Sequence, residues 1–184
     1  LVVLAVLAMT SEPVAAQLPS GTGFLPLPNP RLRTVCAAEN GFSQVSGAWG
    51  CPAITGAWNS GVFDTRRNRM IIWGGGHNDY YGNELYAVNL DTQTVERLNS
   101  PGLPTASTSS CQTAIANGSQ PNSRHTYDGI EYIPTLDRMF VFGGSLACNS
   151  GNFGSDTWMF DFGSMRWSRM NPSGPIPDGD AGMM

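Results

Sequence analysis

The chain contains no lysine; its ten basic residues are all arginine, scattered along 184 residues. Only 13% of the residues are charged and the formal net charge is -4. So sparse and acidic a balance excludes the basic patch on which nucleic-acid binding rests, and no nucleic-acid partner is expected. Histidine is nearly missing as well. With only His77 and His125, the chain cannot supply a three-histidine metal site by itself. There is no C-x-x-C pair to suggest a zinc site and no G-x-S-x-G to suggest a serine hydrolase. Long helical periodicity is absent. The longest unbroken apolar run, residues 1–9, is too short to span a bilayer.

Glycine and proline are plentiful, at 22 and 13 residues, as befits many short strands joined by tight turns. One phrase occurs twice: Asn68-Arg69-Met70-Ile71-Ile72-Trp73-Gly74-Gly75, and later Asp137-Arg138-Met139-Phe140-Val141-Phe142-Gly143-Gly144. A polar turn residue and an Arg precede four apolar residues and a glycine pair. Four apolar residues are too few for a buried helix and suit a strand covered on both faces. The flanking segments repeat too. Glu84-Leu85-Tyr86-Ala87-Val88-Asn89-Leu90 corresponds to Asp156-Thr157-Trp158-Met159-Phe160-Asp161-Phe162, and Thr94-Val95-Glu96-Arg97-Leu98 to Arg166-Trp167-Ser168-Arg169-Met170. Alternating stretches at 57–64 and 125–132 precede the two copies. Each unit therefore reads as four strands joined by turns, a repeat architecture of propeller-blade type.

The order of these signals resembles a kelch repeat. Ser123-Arg124-His125, Gly143-Gly144, Trp158 and Trp167 carry the likeness in the second unit, and Gly74-Gly75 and Tyr86 in the first, where Val95 replaces the last Trp and the Arg-His entry is lacking. The resemblance covers about two-thirds of the chain. It implies an all-β fold: a kelch-type β-propeller fragment with two four-stranded antiparallel blades, at 54–100 and 123–171. Residues 101–122 form a long connecting loop. Residues 172–184, with Pro177-Asp178-Gly179-Asp180, look like the start of a further blade. A closed propeller needs at least four blades, so the rest of the ring is expected from a longer chain.

Residues 1–16 have the apolar core and the Val14-Ala15-Ala16 cleavage pattern of a secretory signal peptide without its positive start. Secretion, or export to a periplasm, is expected, with no membrane insertion after cleavage. Residues 17–53 read as irregular, with 31–35 or 44–49 as a possible closing strand. Four cysteines beside a signal peptide suggest disulfides, for which three pairings exist. Cys36–Cys51 is favoured because both lie ahead of the first blade. Cys111–Cys148 is favoured because the loop entering strand one and the loop between strands two and three leave a blade on the same face. Each bridge would stabilise by roughly 3 kcal/mol. Four reduced, buried thiols are the alternative.

The loop Gly76-His77-Asn78-Asp79-Tyr80-Tyr81-Gly82-Asn83 is the densest in chemistry. Exposed aromatic rings beside amides and a carboxylate suit a sugar, stacking its flat face and fixing its hydroxyls. Equally, Asn, Asp and Gly make turns and the tyrosines pack on the adjacent blade. The candidate ligand-binding residues are His77, Asn78, Asp79, Tyr80, Tyr81, Arg124 and His125, the last two sharing the mouth of the same face or forming buried hydrogen bonds between blades. The expected partner is a glycan or protein, with no metal or cofactor. The alternative is a copper radical oxidase resembling galactose oxidase, with copper ligands in further blades. In that family Tyr precedes the corresponding His, where this chain has Arg124. Asn117-Gly118-Ser119 fits the N-glycosylation pattern, relevant only in a eukaryotic secretory pathway.

Overall fold

The computed structural model describes residues 27, 31–56, 58–75, 80–103, 111–148 and 152–177. The expected leader at 1–16, nearly all of 17–30, and residues 178–184 lie outside them, as do His77, Asn78 and Asp79.

Among the described residues, ten short strands carry the fold: β1 (Gly61–Asp64), β2 (Arg69–Ile72), β3 (Tyr86–Asn89), β4 (Thr94–Arg97), β5 (Arg124–His125), β6 (Ile130–Ile133), β7 (Arg138–Phe142), β8 (Ser145–Leu146), β9 (Thr157–Asp161) and β10 (Arg166–Met170). They form two four-stranded antiparallel sheets, in the order β1-β2-β3-β4 and β6-β7-β9-β10, with β5 and β8 paired separately. The two copies of the repeated phrase are β2 and β7, one in each sheet. Their turns share a device. Asn68 and Asp137 adopt left-handed backbone at φ 45° and 54° just before the strand, a conformation that Asn and Asp tolerate. The registers agree as well: Gly61 faces Ile72 in the first sheet as Ile130 faces Val141 in the second.

The sheets pack face to face. Val62, Ile71, Trp73, Leu85 and Ala87 of the first meet Tyr132, Met139, Val141, Trp158, Phe160 and Trp167 of the second in one core. Trp73 lies 5.1 Å from Trp167 between ring centroids, and Phe160 packs on Trp167 at 5.1 Å. Burial at this seam, at about 1.5–3 kcal/mol per large apolar side chain, is the main force joining the sheets.

The composition of the apolar phrase predicts cover on both faces, but the structure covers it on one. Ile71 and Trp73 are fully buried, whereas Met70 is 42% exposed. Phe140 and Phe142 are half-buried while Met139 and Val141 are enclosed. Side chains alternate across a strand, and only one face of each sheet meets the other sheet.

Two further corrections concern strand limits. The first strands begin at Gly61 and Ile130, later than the alternating stretches suggest, because Trp58 (φ 69°) and Tyr127 (φ 45°) break the extended backbone ahead of them. No closing strand forms in 31–35 or 44–49. That segment folds into 3₁₀ turns at Leu32–Thr34, Ala37–Glu39, Ser43–Val45 and Cys51–Thr55. It packs Cys36, Ala37, Val45 and Ile54 on Tyr80 and Tyr86, covering part of the outer face of the first sheet.

Disulfides join Cys36 to Cys51 and Cys111 to Cys148, with Cα separations of 6.0 and 5.9 Å. Two bridges in one small chain are typical of extracellular proteins. Among the described residues, no helix is long and apolar enough to cross a membrane.

At the turn end of the sheets, Arg67 clasps both units. Its NH1 and NH2 donate to Asp137 Oδ1 and Oδ2 at 2.8 and 2.6 Å, and NH1 also reaches Asp64 Oδ2 at 2.9 Å. Tyr132 donates to Asp137 Oδ1 at 2.9 Å, and Arg69 Nε donates to Asp64 Oδ2 at 2.9 Å.

Candidate functional site

The end of the sheets opposite this clasp is built from the two glycine pairs. Segment 123–126 runs between them. A Cβ on Gly74 would stand 2.6 Å from Arg124 O, and one on Gly144 would stand 2.5 Å from His125 O. Both glycines also have left-handed φ, 105° and 92°. Only glycine permits that backbone and that approach together. The Gly75 N–H then donates to Arg124 O at 2.9 Å, and Ser123 Oγ donates to Tyr80 O at 2.8 Å. Segment 123–125 thus lies against the backbone of Gly75 and Tyr80, while His77 and Asp79, the other residues of the expected pocket, lie outside the described residues.

Arg124 is fully buried, and every N–H of its guanidinium is used. Nε donates to Asn122 O at 3.1 Å. NH1 donates to Gly143 O at 2.8 Å and Asp156 Oδ1 at 2.9 Å, and NH2 to Thr113 O at 2.9 Å and Asp156 Oδ2 at 3.1 Å. Five donors meet five acceptors, so none remains for a ligand. The guanidinium also lies over the Trp73 ring at 5.9 Å, tying the two sheets. Burial acts to raise the Asp156 carboxyl, but the charge and hydrogen bonds of Arg124, with the Trp158 indole N–H, hold it below the usual carboxylate range.

The first unit has a carboxylate at the corresponding place, Glu84, 1% exposed. No arginine enters as Arg124 does. Instead the Tyr80 hydroxyl donates to Glu84 Oε1 at 2.5 Å and Tyr86 donates to the same oxygen. Each phenol accepts in turn from the disulfide-bonded segment: Tyr86 from Ala37 N at 2.9 Å and Tyr80 from Ala38 N at 3.3 Å. Burial pushes the Glu84 carboxyl up, in spite of both phenols and Arg97. It also raises both phenols, which face the Glu84 charge. The Tyr80 ring is therefore core, 1% exposed, and not presented to a ligand. Tyr81 is half-buried and packs against the same segment, its N–H donating to Val45 O at 2.9 Å.

What this end does present is a group of rings. The Trp58 ring lies 5.3 Å from that of His125, tilted by 41°, and Tyr127 meets His125 edge-on at 6.1 Å. Trp58 is 49% exposed and Tyr127 half-buried, while His125 is 8% exposed between them. The positions are equivalent in the two units, and the Tyr127 N–H donates to Trp58 O at 3.0 Å. Sequence reasoning singled out His125 and passed over Trp58 and Tyr127. The available signal was that each unit carries an aromatic residue shortly before its first strand.

Among the described residues, no group of three or more His, Cys, Asp or Glu side chains is placed to hold a metal ion. Of the described residues, His125, Tyr80 and Tyr86 do not fit copper: His125 is packed among rings, and the Tyr80 and Tyr86 hydroxyls are turned to Glu84. No protein-family model matches the chain, and no curated protein matches it significantly.

Proposed function

We propose that the two sheets are blades of a kelch-type β-propeller, exported from the cytoplasm, that acts as a binding module for glycan or protein through its diglycine end. The equal registers, the face-to-face packing and the paired glycine turns support the propeller reading. The two disulfides support export. The observation that carries the binding reading is the contrast between the two ends. The turn end is closed by charges that satisfy one another, Arg67 with Asp64 and Asp137. The diglycine end exposes an indole beside an imidazole and a phenol.

The test is to screen the full chain on glycan and protein arrays and then map hydrogen exchange with the best ligand bound. Protection is expected at 58–62 and 123–129. Protection confined to 64–69 and 134–137, or no ligand from either array, contradicts the reading.

A further inference from the structure

We infer that Trp58 is the platform of a subsite for a neutral sugar ring, a proposal that rests on the binding reading and names the class of ligand. The first ground is backbone geometry. Trp58 and Tyr127 are aromatic residues at left-handed φ, 69° and 45°, where a bulky side chain is a genuine outlier and glycine would cost nothing. The surroundings enforce this conformation. Asn59 Nδ2 donates to Ile54 O at 2.8 Å, Thr126 Oγ1 donates to Asn59 Oδ1 at 2.9 Å, and Ser60 N donates to Thr126 Oγ1 at 2.8 Å. Strain held in place by a hydrogen-bonded frame marks a site where side-chain direction matters.

The second ground is what the strain presents. An indole 49% exposed, tilted against an imidazole, offers a flat apolar face with polar neighbours, the arrangement that stacks the C–H face of a pyranose. The third ground is charge. Arg124, next in sequence to His125, has every donor spent inside the protein. Asp128 is exposed beside Tyr127. The chain has no lysine. Among the described residues of this segment the exposed charge is the Asp128 carboxylate, which repels a sulfated or uronic saccharide and favours a neutral one.

The experiment is titration calorimetry of the full chain with neutral oligosaccharides of glucose, galactose, mannose and xylose, and with a sulfated oligosaccharide. Binding of a neutral member is expected, weakened at least about tenfold in Trp58→Ala and restored toward the parent in Trp58→Phe. Trp58→Gly, which relieves the backbone, should bind as poorly as Trp58→Ala while melting no lower than the parent. Leu136→Ala, exposed in a turn at the far end, should bind normally. Saccharide binding that survives both Trp58→Ala and Trp58→Gly, or a preference for the sulfated probe, overturns the subsite but leaves the wider binding reading standing. No binding of any saccharide also overturns the subsite, while protection at the same end by a protein ligand would still uphold the wider reading.

Discussion

Arg67, in the turn between β1 and β2, forms a two-pronged pair with Asp137, in the turn between β6 and β7. It is the charged counterpart of the apolar seam, because the partners belong to different sheets. The guanidinium, with Tyr132 adding a hydrogen bond, holds the Asp137 carboxyl far below the usual carboxylate range despite some burial. A carboxyl lowered on folding contributes stability above its unfolded pKa, near 3.8, and that contribution fades as pH falls below it. Asp137→Asn should therefore lower stability at pH 7 by about 1 kcal/mol, after allowance for the solvent exposure of Arg67. It should also flatten the loss of stability on acidification below about pH 4. Urea melts at pH 7 and pH 3 check both.

Arg124 and Asp156 make the opposite kind of pair, wholly enclosed. Removing one partner leaves a buried charge without compensation, so Asp156→Asn should cost about 3–5 kcal/mol. Arg124→Lys should also destabilise, because an ammonium offers three donors where five acceptors wait. Denaturant midpoints and the yield of soluble protein measure this. A variant as stable as the parent would mean that the entry segment is not locked between the glycine pairs.

Glu84 predicts a pH effect of the other sign. Its carboxyl is raised by burial. The folded chain thus keeps its proton more tightly, and its share of stability is full below the unfolded pKa near 4.5 and lost as pH rises through the folded value. Tyr80, Tyr86 and Arg97 are the titratable groups that face it, and the chain from Cys36 to Ala38 closes it from the other side. Glu84→Gln, which keeps an acceptor for both phenols, should gain on the parent as pH rises from 5 to 8. Thermal melts across that range test it. A parent that gains on the variant would show that Glu84 is stabilised as the anion.

Some of this was plain in the chain itself. The doubled apolar phrase became β2 and β7 because strand, turn residue and glycine pair all agree locally. The cysteine pairs could be chosen from their places ahead of the first unit and on one face of the second. The direction of the Tyr80 ring could not be read. Its neighbours in sequence make it a loop aromatic, but Glu84, buried without the two-pronged guanidinium partner that Asp156 has, draws the hydroxyl inward. Trp58 was passed over for a different reason. A tryptophan gives no sign of a positive φ, which here is held by the frame of Asn59, Ser60 and Thr126. Likewise the closing strand offered at 31–35 or 44–49 is replaced by 3₁₀ turns in the segment that the Cys36–Cys51 bridge ties together.

Face-to-face packing of the two sheets is the claim on which the rest depends, and nuclear Overhauser contacts between the indoles of Trp73 and Trp167 test it most directly. With ring centroids 5.1 Å apart across the seam, strong contacts are expected between these rings. Their absence, together with backbone contacts that pair 69–72 with 138–142 in one continuous sheet, would contradict it.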